Sequence, residues 1–406
     1  MTRRFFRAAP YWPPLFTMDD LEAGFQWIST LRKKYSANSD IWRLRRDWEN
    51  IKGEMLTQMN DRPYQFGLLD RLEFEDATIS LWGSKDMISL KLISQVLGQK
   101  MAGHIPKTCY HVKSHGGLKK AVADTYEAIA DHQYVFRSDI RGYYASIDFG
   151  ILMDIISSYV KHPVLLTLIG KACRRTETTG GLFYDFNEKG VPKGSPLSPL
   201  LGAIALIPLD KAMEKIKGVF YSRFMDDWVV LTKSKTALRK VVKITHEVVN
   251  ALKFQLHPLK TYIGKISHGF NFLAYYMDDQ KILPSKETIR RFHERALALY
   301  EPSQPRKNES RRFRKNAAVS RDISEYLVNE AEPTNGYFQN ILKHLLTLAA
   351  QKPGTLAIMR RYVGQWACWL KLGLSTVEAF ETSVRTLLPG IFSCWIPGSE
   401  IFNLGR

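Results

Sequence analysis

Three aspartates in this chain have the type and setting for metal-assisted phosphoryl chemistry. Asp139 closes the apolar run YVFRSD, and Asp226 and Asp227 sit at the joint between VFYSRF and WVVLT. Two metal ions about 3.5–4 Å apart, stabilising the attacking and leaving oxygens together, need carboxylates shared between rigid neighbouring elements. A carboxylate at one strand end and another at a hairpin turn could meet across neighbouring strands. Mg²⁺ prefers a carboxylate or two completed by substrate phosphate over an all-protein cage, so few acids suffice. Taken alone, Met225–Asp226–Asp227 would be a plain turn, since Asp is a favoured turn residue. Between the two acidic sites lies GVPKGSPLSPLLGAIALIPLD, a Gly/Pro loop running into a helix. In it Ser198 is the expected N-cap and Pro199 the first helical residue.

The surrounding pattern says what positions these residues. Compact apolar strands (YVFRSDI, VFYSRF, WVVLT and FNFLAYYM) alternate with amphipathic helices, two of which read as Phe149–Val160 and Pro199–Ile216. This alternation predicts an α+β sheet domain with helices on one face. Upstream, a Pro-punctuated arm leads into a helix around Asp40–Met59, and apolar spacing predicts another over Asp86–Met101. Beyond Pro284 the chain reads as mostly helical. It is densely basic between Arg290 and Arg321 and is broken by Pro302 and Pro305. Leu342–Ala350 and Arg360–Leu372 read as helices there, and Trp366 and Trp369, three apart, share a face suited to core packing.

Composition narrows the class. The 406 residues allow two or three domains, and the 45% apolar share excludes a largely disordered basic tail. Lys plus Arg number 58 against 40 for Asp plus Glu, a net charge of +18 that implies a polyanionic partner, nucleic acid first. Charge alone does not separate this from a merely soluble basic protein. Cys109, Cys173, Cys368 and Cys394 are isolated, which argues for a reduced compartment and against a zinc module. Pro10, Pro13 and Pro14 interrupt any signal-peptide stretch, and the longest apolar run, around Leu200–Leu209, falls short of the roughly 20 residues a bilayer needs. A soluble, cytoplasmic protein is expected.

In their order and spacing, the three segments resemble motifs A, B and C of reverse transcriptases. Asp139-Ile-Arg-Gly-Tyr-Tyr144 is similar to motif A, Gly190-Val-Pro-Lys-Gly-Ser-Pro-Leu-Ser-Pro199 to motif B, and Phe224-Met-Asp-Asp227 to motif C. His257-Pro-Leu-Lys-Thr261 looks like motif D, and Gly269-Phe-Asn-Phe-Leu273 like the motif E primer grip. Lys85-Asp-Met87 and Cys109-Tyr-His-Val-Lys113 look like degraded finger motifs of the group II intron-like bacterial branch. The resemblance covers about residues 80–280. Tyr276-Met-Asp-Asp279 spells the retroviral form of motif C more closely, but it follows motifs D and E and precedes polar Gln280–Lys281, so it reads as a hairpin turn.

The resemblance implies a right-hand polymerase. Residues 1–64 would form an N-terminal arm and helices, 65–133 fingers, 134–284 a ferredoxin-like palm with finger elements interleaved, and 285–406 a basic helical thumb. Asp139 and Asp226 would ligate two Mg²⁺ ions (or Mn²⁺) with Asp227 assisting, and the Ile140 carbonyl would reach the nucleotide-bound metal. Tyr144 would be the aromatic steric gate that rejects a ribose 2′-OH in favour of dNTPs. Lys193 and Gly194 would line the nascent pair, with Lys193 standing where the family usually has Gln. Lys260 would meet the pyrophosphate, a role a solvated surface Lys rivals, and Lys85 the triphosphate. The family's finger Arg is not evident near Asp76–Ser80.

The implied activity is RNA-directed DNA synthesis, with an RNA template, dNTPs, a DNA product and no membrane. Without CxxC pairs or a recognisable retron VTG element, the chain most resembles stand-alone unknown-group bacterial enzymes, many of them defence-associated and copying a cognate non-coding RNA. The alternatives are a group II intron-derived maturase acting as an RNA-binding splicing factor, and an RNA scaffold protein whose carboxylates are incidental. Template, priming mode and oligomeric state are not readable from the sequence.

Overall fold

The structure is a computed structural model that describes residues 12–291 except 62–63, 75–76, 180–181, 185–187 and 289. The expected thumb helices and Trp366 and Trp369 lie outside the described residues. The chain divides into two units, residues 1–264 and 265–406.

The first unit opens with helices α1 (Met18–Leu31) and α2 (Asp40–Asn60). Thr17 starts α1 with a reciprocal capping box: its hydroxyl accepts from Asp20 N–H, and the Asp20 carboxylate accepts from Thr17 N–H. Strands β1 (Leu69–Phe74) and β2 (Ala77–Leu81) form a hairpin, followed by α3 (Ser84–Met101) and α4 (Gly117–Ile129). Then come β3 (Tyr134–Ser138), α5 (Tyr143–Ser146), α6 (Phe149–Tyr159), α7 (Pro163–Cys173), β4 (Glu177–Thr179) and β5 (Leu182–Tyr184). Helices α8 (Ser198–Ala205) and α9 (Ile207–Glu214) lead to β6 (Val219–Phe224), β7 (Asp227–Thr232), α10 (Lys235–Ala251) and β8 (Tyr262–Lys265).

The expected α+β architecture is present. One sheet has the order β2-β1-β4-β5, and the other, which carries the acidic residues, has the order β6-β7-β3-β8. Its chain order β3, helices, β6, β7, α10, β8 is a β-α-β-β-α-β arrangement, the ferredoxin-like pattern. β7 is central and runs antiparallel to both neighbours, and five of its six residues are buried, Trp228 through Thr232. Helix α10 turns Leu238, Val241, Thr245 and Val249 inward at spacings of three and four, the stripe that covers a sheet face. Ser234 caps it by accepting from Ala237 N–H.

Two sequence expectations change here. The apolar run after Ser198 is two helices, interrupted at Leu206 with Pro208 in the first turn of α9, because a proline ring inside a continuous helix clashes with the preceding turn. Ser198 is the first residue of α8 rather than its cap, and its hydroxyl donates to Pro192 O at 2.5 Å.

In the second unit, β9 (Phe270–Phe272), β10 (Tyr275–Met277) and β11 (Ile282–Pro284) form an antiparallel meander. FNFLAYYM, expected as one strand, is therefore a hairpin. Leu273 and Ala274 both have positive φ (47° and 73°), the conformation of a two-residue turn matched to strand twist. Tyr276–Asp279 runs from β10 into the next turn, as expected, and Asp278 Oδ1 accepts from Gln280 and Lys281 N–H at 2.9 and 2.8 Å. Among the described residues no helix is long and apolar enough to cross a membrane.

Candidate active site

Strand pairing gathers the three aspartates. β3 and β7 pair with Ser138 opposite Trp228, so the next position brings Asp139 level with Asp227. β6 and β7 pair through Phe224 and Asp227, leaving Met225 and Asp226 as the two-residue turn. The chain after α10 is laced to the end of β3: His257 N–H donates to Asp139 O at 2.8 Å, Arg141 N–H to Gln255 O at 2.9 Å, and Ile140 bridges Leu256. This lacing delivers the Pro258–Lys260 turn, and Lys260 Nζ reaches Asp139 Oδ2 at 2.7 Å. Lys260 is thus the partner of a site carboxylate.

Each carboxylate has a different electrostatic setting. Arg137, on the same strand run as Asp139, grips Asp227 at two points, Nε to Oδ1 and Nη2 to Oδ2, both 3.1 Å. Burial still pushes the Asp227 carboxyl up, against the pull of Arg137. Asp226 has no ion pair of its own among the described residues. Burial first, then the charge of Asp139, with Asp227 adding, push its pKa from 3.8 to about 6. Lys260, bonded to Asp139, opposes this shift only in part, so negative charge is crowded at Asp226, which is the field a divalent ion relieves.

Among the described residues no three Asp, Glu, His or Cys side chains are already gathered as a metal cage. Asp227 faces Arg137 and Asp139 holds Lys260. Asp139 and Asp226 fit an ion that takes its other ligands from substrate phosphate and water, the habit of Mg²⁺.

Met225 has φ of +59°, unfavourable for a residue with a Cβ, and its peptide is held from both sides. Its N–H donates to His111 Nδ1 at 2.9 Å, and its carbonyl accepts from Arg223 Nη1 at 2.7 Å. Arg223 is fully buried and paired with equally buried Asp210, Nη2 to Oδ2 at 2.5 Å, while Tyr221 OH donates to Asp210 Oδ1 at 2.7 Å.

Tyr144 stands next to this turn, its hydroxyl donating to Met225 Sδ at 3.3 Å. Burial, then Asp226, pushes its pKa up to about 12, so it remains a neutral phenol. A cavity of about 370 Å³ is lined by Tyr144 with Trp27, Met87, Lys193, Gly194, Ser195, Pro196, Ser198 and Pro199. The loop reaches this position because Gly190 takes φ of +90°, which a residue with a Cβ rarely adopts, and donates to Ile147 O at 2.8 Å.

The structure therefore brings together Asp139, Asp226, Asp227, Tyr144 and Lys260, and places Lys193 and Gly194 at the cavity beside Tyr144. Lys85 is different. Its ammonium lies over the Tyr64 ring at 5.5 Å, and Met87, two residues on, lines the cavity. Arg137, His111 and the Arg223–Asp210 pair were not singled out by the sequence reading. The alternation Arg137, Ser138, Asp139 on a strand was the only signal for the first, and His111 lay inside a segment read as a finger motif.

Residues 83–283 match the family model for reverse transcriptase (RNA-dependent DNA polymerase). Protein YkfC of Escherichia coli (strain K12) is 24% identical over 177 residues, 35% of this chain and 46% of YkfC. A solved structure of apo telomerase from Candida tropicalis, truncated from its C-terminal domain, aligns with a TM-score of 0.44 at 14% identity, covering 54% of this chain and 55% of that one. The chain thus spans about half the length of each of these two proteins. The segment that matches the reverse transcriptase model runs from the start of α3 to β11 and includes all three aspartates, residues 190–199 and Tyr144.

Proposed function

We propose that the protein is an RNA-directed DNA polymerase that adds dNTPs to a primer 3′ end. The observation that carries this reading is the meeting of Asp139 and Asp226 at the paired ends of β3 and the β6–β7 turn, with Tyr144 bonded to Met225 beside them. In this reading residues 65–133 are fingers, 134–284 the palm and 285–406 the thumb.

Asp139 and Asp226 would hold two Mg²⁺ ions, which when bound neutralise the triphosphate and lower the pKa of the primer hydroxyl. Asp227 keeps Arg137 in place behind them. Lys260, paired with Asp139, would turn to the pyrophosphate as negative charge develops there. The Tyr144 ring closes the space a ribose 2′-OH would need. Positioning and charge neutralisation supply most of the rate.

We further propose that the template is a cognate non-coding RNA and the role anti-phage defence, on the strength of the family resemblance. The test is to express the protein with its native flanking DNA and sequence co-purifying RNA and any DNA made. One enriched flanking RNA, with complementary DNA lost in Asp226→Ala/Asp227→Ala, is the expected result. RNA bound without DNA from any variant would overturn the polymerase reading in favour of a maturase.

A further inference from the structure

His111 lies outside motifs A to C, yet two of them meet at its imidazole. The loop carrying it pairs with the end of β6: Arg223 N–H donates to Thr108 O and Tyr110 N–H to Arg223 O, both at 2.9 Å. That pairing seats the ring between the catalytic turn and α8. Nδ1 accepts from Met225 N–H at 2.9 Å, and Nε2 faces the Pro199 carbonyl at 3.3 Å. Phe224 closes one side edge-on, with ring centroids 5.8 Å apart. Both bonds require one neutral tautomer, the proton on Nε2 and the lone pair on Nδ1. Burial first and the Arg223 charge second hold His111 down to about 4, with His115 acting the same way and the Pro199 carbonyl opposing.

Met225 needs such a holder. It sits at positive φ, and its N–H, carbonyl and sulfur each find a partner on a different element: His111, Arg223 and Tyr144. The other end of the imidazole touches Pro199, which lines the cavity that also contains Lys193 and Gly194. A displacement of the first turn of α8, which continues the loop carrying Lys193 and Gly194, is therefore felt at the peptide next to Asp226.

We propose that His111 is a positioning residue that ties the first turn of α8, where the 190–197 loop ends, to the turn aiming Asp226, so that nucleotide seated against that loop sets the catalytic carboxylate. The coupling to nucleotide rests on the polymerase reading; the tie between His111 and Met225 does not.

The test compares His111→Ala and His111→Gln in the native background and in Met225→Gly. Two readouts need no polymerisation: hydrogen exchange in a peptide spanning 221–230, and Mn²⁺ binding followed by electron paramagnetic resonance. His111→Ala is expected to speed exchange at the Met225 amide about tenfold or more and to weaken Mn²⁺ binding. With primer–template it should lower kcat about tenfold while KM for dNTP changes little. Glycine adopts positive φ unaided, so Met225→Gly should recover much of that loss. Imidazole in the buffer should recover part of it as well, entering through the cavity of about 680 Å³ that His111 and Pro199 line. His111→Gln, whose amide both donates and accepts, keeps the comparison usable if the alanine variant does not fold. Unchanged exchange, or an equal kcat loss in both backgrounds without imidazole rescue, would overturn the proposal. A native protein that makes no DNA but shows the exchange and Mn²⁺ effects would overturn the polymerase reading and leave the tie standing.

Discussion

Arg137 and Asp227 lie diagonally across neighbouring strands and meet at two points, each 3.1 Å, with side chains only 19% and 18% exposed. The pair separates two adjacent aspartates into different jobs. Asp227 is neutralised from behind, whereas Asp226 faces Asp139 with no cation of its own among the described residues.

Removing one member of this pair strands the other. Arg137→Met should cost about 2–4 kcal/mol in urea denaturation, since a nearly buried carboxylate is left without its cation. Arg137→Met combined with Asp227→Leu should recover most of that loss, because two apolar groups replace the pair. Equal and additive losses would mean the two residues stabilise the fold independently.

Asp226 predicts a pH dependence with a definite sign. Its carboxyl in the folded protein lies at about 6, above its ordinary 3.8, so the folded state holds a proton that the unfolded chain has released. Ionising it therefore subtracts stability as pH rises from about 4 to 6. Metal needs the ionised form, so Mn²⁺ affinity should fall about tenfold for each pH unit below 6. Calorimetry at pH 5 and 7 checks this, and Asp226→Asn should remove the Asp226 share of the dependence, leaving the smaller part that other raised carboxyls such as Asp227 contribute.

Tyr144 predicts sugar selection. Its ring packs so closely on α8 that a Cβ on Gly202 would lie 3.3 Å from Tyr144 Cε1 and 3.2 Å from Tyr143 Cε1. Tyr143 is fixed in turn by its hydroxyl, which donates to the Gly202 carbonyl. Tyr144→Val should raise NTP use relative to dNTP by about tenfold or more, a change of about 1.4 kcal/mol in discrimination. Competitive incorporation on one primer–template measures the ratio.

The second MDD sequence should be silent in catalysis. Asp278 directs its carboxylate at the N–H groups of Gln280 and Lys281, a local turn bond. Asp278→Ala/Asp279→Ala should keep primer extension within about twofold of the native rate and show its effect in thermal stability, at about 0.5–1.5 kcal/mol.

Local pattern made much of this legible. The helix expected over Asp40–Met59 is Asp40–Asn60, that over Asp86–Met101 is Ser84–Met101, and VFYSRF is β6 residue for residue. These elements declare themselves because their periodicity is short. What stayed hidden was set by long-range partners. Arg137 acquires meaning from a residue 90 positions away, and His111 from one 114 positions away. Neither distance leaves a trace in a local window, and an Arg on a strand or a His in a loop has many ordinary explanations. Lys85, which the resemblance alone offered as a triphosphate contact, has its ammonium over the Tyr64 ring, a partner 21 positions away that no local window shows. The division at Leu206 required knowing that Pro208 opens a new helix.

The strand-like pairing of Cys109 with Arg223 has a chemical consequence. The Cys109 sulfur is wholly inaccessible to solvent, and burial pushes the thiol up to about 12. Only the thiolate reacts with alkylating agents and peroxide, so this sulfur is inert while the 108–111 loop stays against β6. Its rate of modification is then a clock for the opening of that seam, and a native molecule in an oxidising medium keeps the sulfur beside β6 reduced for as long as the seam is shut.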